Sequence, residues 1–280
     1  MAVSAVGALR TGNWQTGIVG APVLDLEPEL AGRVIGSCRA REPGTAGILV
    51  HGSYATGRAS HDSDLDLAVF IEGEPSEHYR TWFEARDGLA PLHVSARCDL
   101  SIDVWAEERE QPEDWALGLP VELPHVWLWR GDQRLTELLG DRPVLSKPGG
   151  PPEIEDMVDA ALKTRRHARD GDELGARLEA QAAARFAAPT VCALNDPEPV
   201  TDPRSALAAV LALPIAPPGW TADLPVAMGL TTAALDEVAE AAIRLVSGTL
   251  RLARERNPIV DRQPEIGRYL IDGTLERLLN

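Results

Sequence analysis

The decisive stretch is Ile48-Leu49-Val50-His51-Gly52-Ser53-Tyr54-Ala55-Thr56-Gly57-Arg58-Ala59-Ser60-His61-Asp62-Ser63-Asp64-Leu65-Asp66-Leu67-Ala68-Val69-Phe70-Ile71. An apolar run ends on Gly-Ser, a polar interval follows, and Asp-Leu-Asp opens a second apolar run. Side chains alternate across a strand, so Asp64 and Asp66 share one face while Leu65, Leu67 and Val69 pack on the other. Two carboxylates aimed together repel unless a cation lies between them. Oxygen donors suit a hard divalent ion, and Mg²⁺ commonly takes its remaining ligands from water and substrate phosphates. Gly52 leaves room for close approach to the backbone, and Ser53 offers a hydroxyl and an amide at the start of a helix, where an anion is favoured. A lone Asp-x-Asp would merely begin a surface strand. Joined to Gly-Ser between two apolar strands, it describes a site for a nucleoside triphosphate and a metal.

Outward from this segment, Leu30, Val34 and Ile35 recur at helical spacing and predict a helix over Pro28–Arg41, whereas residues 1–24 carry no clear period. Further strands are expected over Leu100–Trp105 and Val126–Trp129, the latter with Trp127 and Trp129 on one aromatic face used for packing. A helix is expected over Ser76–Gly88. Strands interleaved with helices indicate an α+β layer, a mixed sheet with helices on one side, over residues 25–146. Lys147-Pro148-Gly149-Gly150-Pro151-Pro152 can continue neither element and marks a linker. Beyond it, Glu153–Arg169, Glu173–Leu194, Arg204–Leu213, Thr231–Arg256 and Pro264–Leu279 predict an all-α bundle over residues 153–280. Its clearest apolar stripe is Leu235, Val238, Ala242, Leu245, Val246 and Leu250.

Length and composition are those of a folded globular chain: 280 residues, 44% hydrophobic and 25% charged. The net charge is −16, acid exceeds base on both sides of the linker, and Lys occurs only at Lys147 and Lys163. Such a surface disfavours nucleic acid as a partner and attracts cationic small molecules. Cys38, Cys98 and Cys192 show neither disulfide nor zinc spacing, which points to a reducing cytoplasm. The six histidines also lack metal-ligand spacing. No basic leader opens the sequence, and polar residues interrupt every apolar stretch before a membrane-spanning length, so no membrane partner is expected.

The segment from Ile48 to Ile71 resembles the nucleotidyltransferase superfamily that includes DNA polymerase beta and the aminoglycoside nucleotidyltransferases. The signature is Gly-Ser, a short gap, then Asp-x-Asp, here with Ser63 before the first Asp and the small residues Ala55 and Gly57 after Gly-Ser. An α/β domain followed by a helical one is similar in layout to the antibiotic-modifying branch. The resemblance implies Mg²⁺-dependent transfer of a nucleoside monophosphate from a nucleoside triphosphate, ATP by family habit, to the hydroxyl of a small acceptor. Asp64 and Asp66 would bind the metal, and Gly52 with Ser53 the triphosphate. It also implies a third carboxylate on a later strand. Asp99 and Asp103 share one face there; Asp103 is preferred because Ile102 and Val104 hold it inside the strand, where it would complete the metal site and help deprotonate the acceptor. Arg58, and Lys163 with Arg166 on one helix face, are candidate phosphate contacts, although a solvated face explains the latter pair as well. Rival readings are a nucleotidyltransferase acting on protein or tRNA, and a non-enzymatic, antitoxin-like binding module of the same fold.

Overall fold

The computed structural model describes residues 26, 28–60, 63–72, 79–86, 89–98, 111, 113–132, 134–135, 144–146, 154–256 and 264–280. The chain divides into two units, one of residues 1–106 and 123–143, the other of residues 107–122 and 144–280. The expected linker at 147–152 and the segment 1–24 lie outside the described residues.

In the first unit, helix α1 spans Pro28–Arg41, with Glu29 in its first turn and Arg39 and Arg41 in its last, a charge order that complements the helix dipole. It leads into β1 (Thr45–His51), the one-turn helix α2 (Gly52–Ala55) and β2 (Leu65–Ile71). The strands β3 (Tyr79–Arg86) and β4 (Leu89–Cys98) follow. After β5 (Val121–Leu123), β6 (Val126–Arg130) returns to the same sheet, whose order is β3-β4-β2-β1-β6. β2 and β4 run parallel while the other neighbours are antiparallel, so the sheet is mixed. Val34 and Cys38 of α1 bury against Ile48, Val50, Leu65, Leu67, Val69 and Leu128. Fully burying each large aliphatic side chain contributes about 1.5–3 kcal/mol. The alternation expected along β2 therefore holds, and the opposite face of that strand is left for Asp66, Ala68 and Phe70.

Two features of this sheet differ from expectation. The segment expected to be helical contains β3 instead. Tyr79, Thr81, Trp82 and Phe83 have β-branched or aromatic side chains that favour strands, and Asp87-Gly88, between the paired residues Arg86 and Leu89, is a strong hairpin signal. Its partner β4 is disguised by Pro91, which cannot donate to a ladder. Pairing with β2 starts only at Leu92, and the β3 register shifts between Glu84 and Arg86, so the missing N–H is accommodated. The strand expected over Leu100–Trp105 lies outside the described residues. The second difference concerns β6. A shift between Ile48 and Leu49 pairs Ile48 with Trp129 and Leu49 with Trp127, leaving Leu128 as an extra residue. A bulge of this kind re-aims side chains. Trp127 lies 5.9 Å from the Phe70 ring, whereas Trp129 joins the α1-side cluster with the Arg39 guanidinium 5.0 Å from its ring. The two tryptophans do not share one face.

The second unit holds α3 (Ile154–Arg169), α4 (Glu173–Cys192), α5 (Pro203–Leu211), α6 (Trp220–Ala227), α7 (Leu235–Arg256), α8 (Pro264–Ile271) and α9 (Thr274–Leu279). A two-stranded ribbon of β5 and β7 (Val144–Ser146) accompanies them. Ala176, Ala180, Ala183, Ala184, Ala187 and Ala188 of α4 are all buried, and their small side chains let α3 and α7 approach closely. The predicted stripe of α7 is buried at Val238, Ala242, Leu245, Val246 and Leu250. The helix expected over Pro264–Leu279 is instead two, because Gly273 adopts φ +71° and ends the first of them. Burial pushes the Cys192 thiol up to about 12, so it stays protonated and unreactive. Among the described residues no helix is long and apolar enough to cross a membrane.

Asp202 caps α5, its Oδ1 accepting hydrogen bonds of 3.1 Å from the backbone N–H groups of Arg204 and Ser205. Asp202→Ala is expected to destabilise the helical unit by about 1 kcal/mol, read as a lower thermal midpoint, with Asp202→Asn recovering most of the loss.

Candidate metal centre

The site starts where β1 ends. His51 closes the strand, and Gly52 turns the chain into α2 at φ +67°, a left-handed conformation that side chains rarely adopt. A Cβ at Gly52 would collide with Asp66 Oδ2 and come within 3.1 Å of its Cγ. Glycine is thus required twice, once by the turn and once by the carboxylate beside it. The group expected beside Gly52 is a phosphate; the group that lies against it in the structure is the Asp66 carboxylate. Ser53 anchors the following loop, its carbonyl accepting hydrogen bonds from Thr56 Oγ1 and Arg58 N, both at 2.9 Å. Arg58 itself is exposed in that loop.

Ser63, part of the motif, closes the loop ahead of the acids. Its Oγ accepts from Ser60 N at 2.8 Å, and its own N–H donates to Ser60 O at 3.1 Å. This turn delivers Asp64 to the start of β2, and Asp66 follows on the same side. In the sheet Asp66 stands opposite His51 on β1 and opposite His93 on β4. His93 Nδ1 lies 3.0 Å from Asp66 Oδ1, with the two side chains 33% and 22% exposed. Asp64, Asp66 and His93 each offer one donor atom, and these atoms all lie within 4.8 Å of one another. Two carboxylates brought this close repel each other, and a divalent cation between them reverses that repulsion. Two acidic oxygens and an imidazole nitrogen also form a chemically suitable donor set for such an ion.

The remaining predicted residues divide clearly. Asp103, with its alternative Asp99, lies outside the described residues. Lys163 and Arg166 belong to α3 in the helical unit. Lys163 Nζ is 2.6 Å from Asp159, one turn away, and that hydrogen-bonded carboxylate raises the lysine pKa. The residue that sequence reasoning missed is His93. Its usable signal was alternation within β4, which places it on the Asp66 face only once β4 is recognised as a strand in register with β2.

Residues 32–117 match the nucleotidyltransferase domain family, a span that begins within α1 and includes Gly52, Ser53, Asp64, Asp66 and His93. This segment is similar to a nucleotidyltransferase domain. No curated protein matches the chain by sequence. Among solved structures the chain is similar to a nucleotidyltransferase-like protein from Exiguobacterium sibiricum, at 14% identity and a TM-score of 0.36, covering 85% of this chain and 80% of that one. The matched span thus contains both elements of the motif and the donor cluster of Asp64, Asp66 and His93.

Proposed function

We propose that this protein uses a divalent cation to transfer a nucleoside monophosphate from a nucleoside triphosphate, with ATP the default donor, to a hydroxyl of a small amine-bearing molecule such as an aminoglycoside-like antibiotic. The observation that carries this reading is the convergence of Asp64 and Asp66 beside Gly52 within a nucleotidyltransferase domain. When bound, the cation neutralises phosphate charge and makes the acceptor hydroxyl more acidic. Asp64 and Asp66 hold that ion through carboxylate oxygens. Gly52 and Ser53 cradle the triphosphate at the turn into α2, and Arg58 supplies counter-charge from the adjoining loop. Asp103 serves as the third carboxylate and accepts the proton of the acceptor hydroxyl. The bond formed joins the acceptor oxygen to the α-phosphorus, the bond broken joins that phosphorus to the bridging oxygen, and pyrophosphate leaves.

The net charge of −16 supports a cationic acceptor and weighs against a nucleic acid. The test is pyrophosphate release with each nucleoside triphosphate against aminoglycosides, lincosamides and uncharged polyols. Release is expected to require both an acceptor and a divalent ion, and to stop on addition of EDTA. Failure of every pairing to release pyrophosphate, with saturating ion and a folded protein, rejects the reading.

A further inference from the structure

We propose that His93 is a direct nitrogen ligand of the cation, so that the centre takes a first-row transition ion such as Mn²⁺ in preference to Mg²⁺. This deepens the nucleotidyl-transfer reading and rests on it. Asp64 and Asp66 alone present only oxygen, a set that suits Mg²⁺. β4 adds a nitrogen from the neighbouring strand, in direct register with Asp66. The 3.0 Å between His93 Nδ1 and Asp66 Oδ1 matches the separation of two donors about 2.1 Å from one ion and at right angles to each other. All three residues are partly exposed rather than sealed in the core.

The same 3.0 Å spacing also fits a hydrogen bond, and the tautomer separates the two states. With the proton on Nδ1, His93 donates to Asp66 and no lone pair faces the ion. With the proton on Nε2, the Nδ1 lone pair faces the Asp66 oxygen, an arrangement that a cation between them makes favourable. Imidazole is a good partner for first-row transition ions and a poor one for Mg²⁺, so engagement of Nδ1 changes which ion is preferred as well as how tightly it binds. A histidine that only steadied Asp66 would strengthen both ions alike.

The experiment uses the full chain stripped of metal, without nucleotide. Mn²⁺ binding is followed by EPR and Mg²⁺ binding by competition against it. Wild type is expected to prefer Mn²⁺ by about tenfold or more and to show nitrogen hyperfine coupling to the bound ion. In His93→Gln the coupling disappears and Mn²⁺ affinity falls by about tenfold, while Mg²⁺ affinity changes by less than about threefold. Bound Mn²⁺ without nitrogen coupling in the wild-type protein overturns the assignment and needs no variant to fold. Equal weakening of both ions in His93→Gln also overturns it and makes His93 a positioning residue. Asp64→Asn separates this failure from that of the underlying reading: if it leaves Mn²⁺ affinity unchanged, the carboxylate site itself is wrong and both proposals fall.

Discussion

Asp66→Asn is expected to lower pyrophosphate release by about three orders of magnitude or more, because the cation whose charge stabilisation contributes several kcal/mol loses its central ligand. Asparagine keeps the shape of the side chain and can pair with His93 Nδ1 in either tautomer, its carbonyl accepting or its amide donating, so the fold should survive; circular dichroism checks this. Asp64→Asn is expected to behave in the same way. A thermodynamic signature accompanies the kinetic one. A ligand that binds only the folded state at about 100 times its Kd stabilises that state by about 2.7 kcal/mol. Wild type should therefore show a higher thermal midpoint with divalent cation, whereas neither variant should respond. Asp132→Asn is the matched control. Asp132 belongs to the same unit but is an acidic group held by Arg134, whose hydrogen bonds bring its pKa down to about 2. Its loss should leave the response to cation intact. Rates in Asp64→Asn or Asp66→Asn equal to wild type would refute the assignment of these carboxylates.

The second large effect is expected at Gly52, and Gly57 provides the comparison that interprets it. Both glycines sit at φ +67°, so alanine at either position incurs a similar left-handed penalty of about 1–2 kcal/mol. Their surroundings differ. A Cβ at Gly57 meets nothing within 4 Å, whereas one at Gly52 overlaps the Asp66 carboxylate. Gly57→Ala should therefore lower the thermal midpoint by a few degrees, roughly what that penalty implies, and leave cation affinity within about twofold of wild type. Gly52→Ala should lose more stability, because Asp66 must move, and should lose cation binding and transfer together. Equal behaviour of the two variants in cation binding would mean that Gly52 serves only the turn.

These predictions draw on different amounts of the sequence. Alternation along a strand is a property of the backbone itself, so the common face of Asp64 and Asp66 was legible from Leu65, Leu67 and Val69 alone. The same local rules marked β1, β2, β6, α1 and the long helices α3, α4 and α7, where apolar periodicity extends over several turns. Local rules failed where two signals competed. The helix expected over residues 76–88 ignored the hairpin signal of Asp87-Gly88, and Pro91 concealed a strand whose irregular pairing accommodates it. Gly273 broke a helix that periodicity alone had continued.

Pairing between distant segments belongs to tertiary structure. That His93 faces Asp66 depends on β4 lying parallel to β2 in one register, and a shift of a single residue would turn the imidazole to the opposite face. That Gly52 needs its bare Cα because of Asp66 depends on the β1–β2 ladder. That Trp127 and Trp129 part company depends on one unpaired residue in β6. The chain encodes which side chains share a face through geometry repeated every two or 3.6 residues, whereas which faces meet is decided by long-range burial and hydrogen-bond pairing.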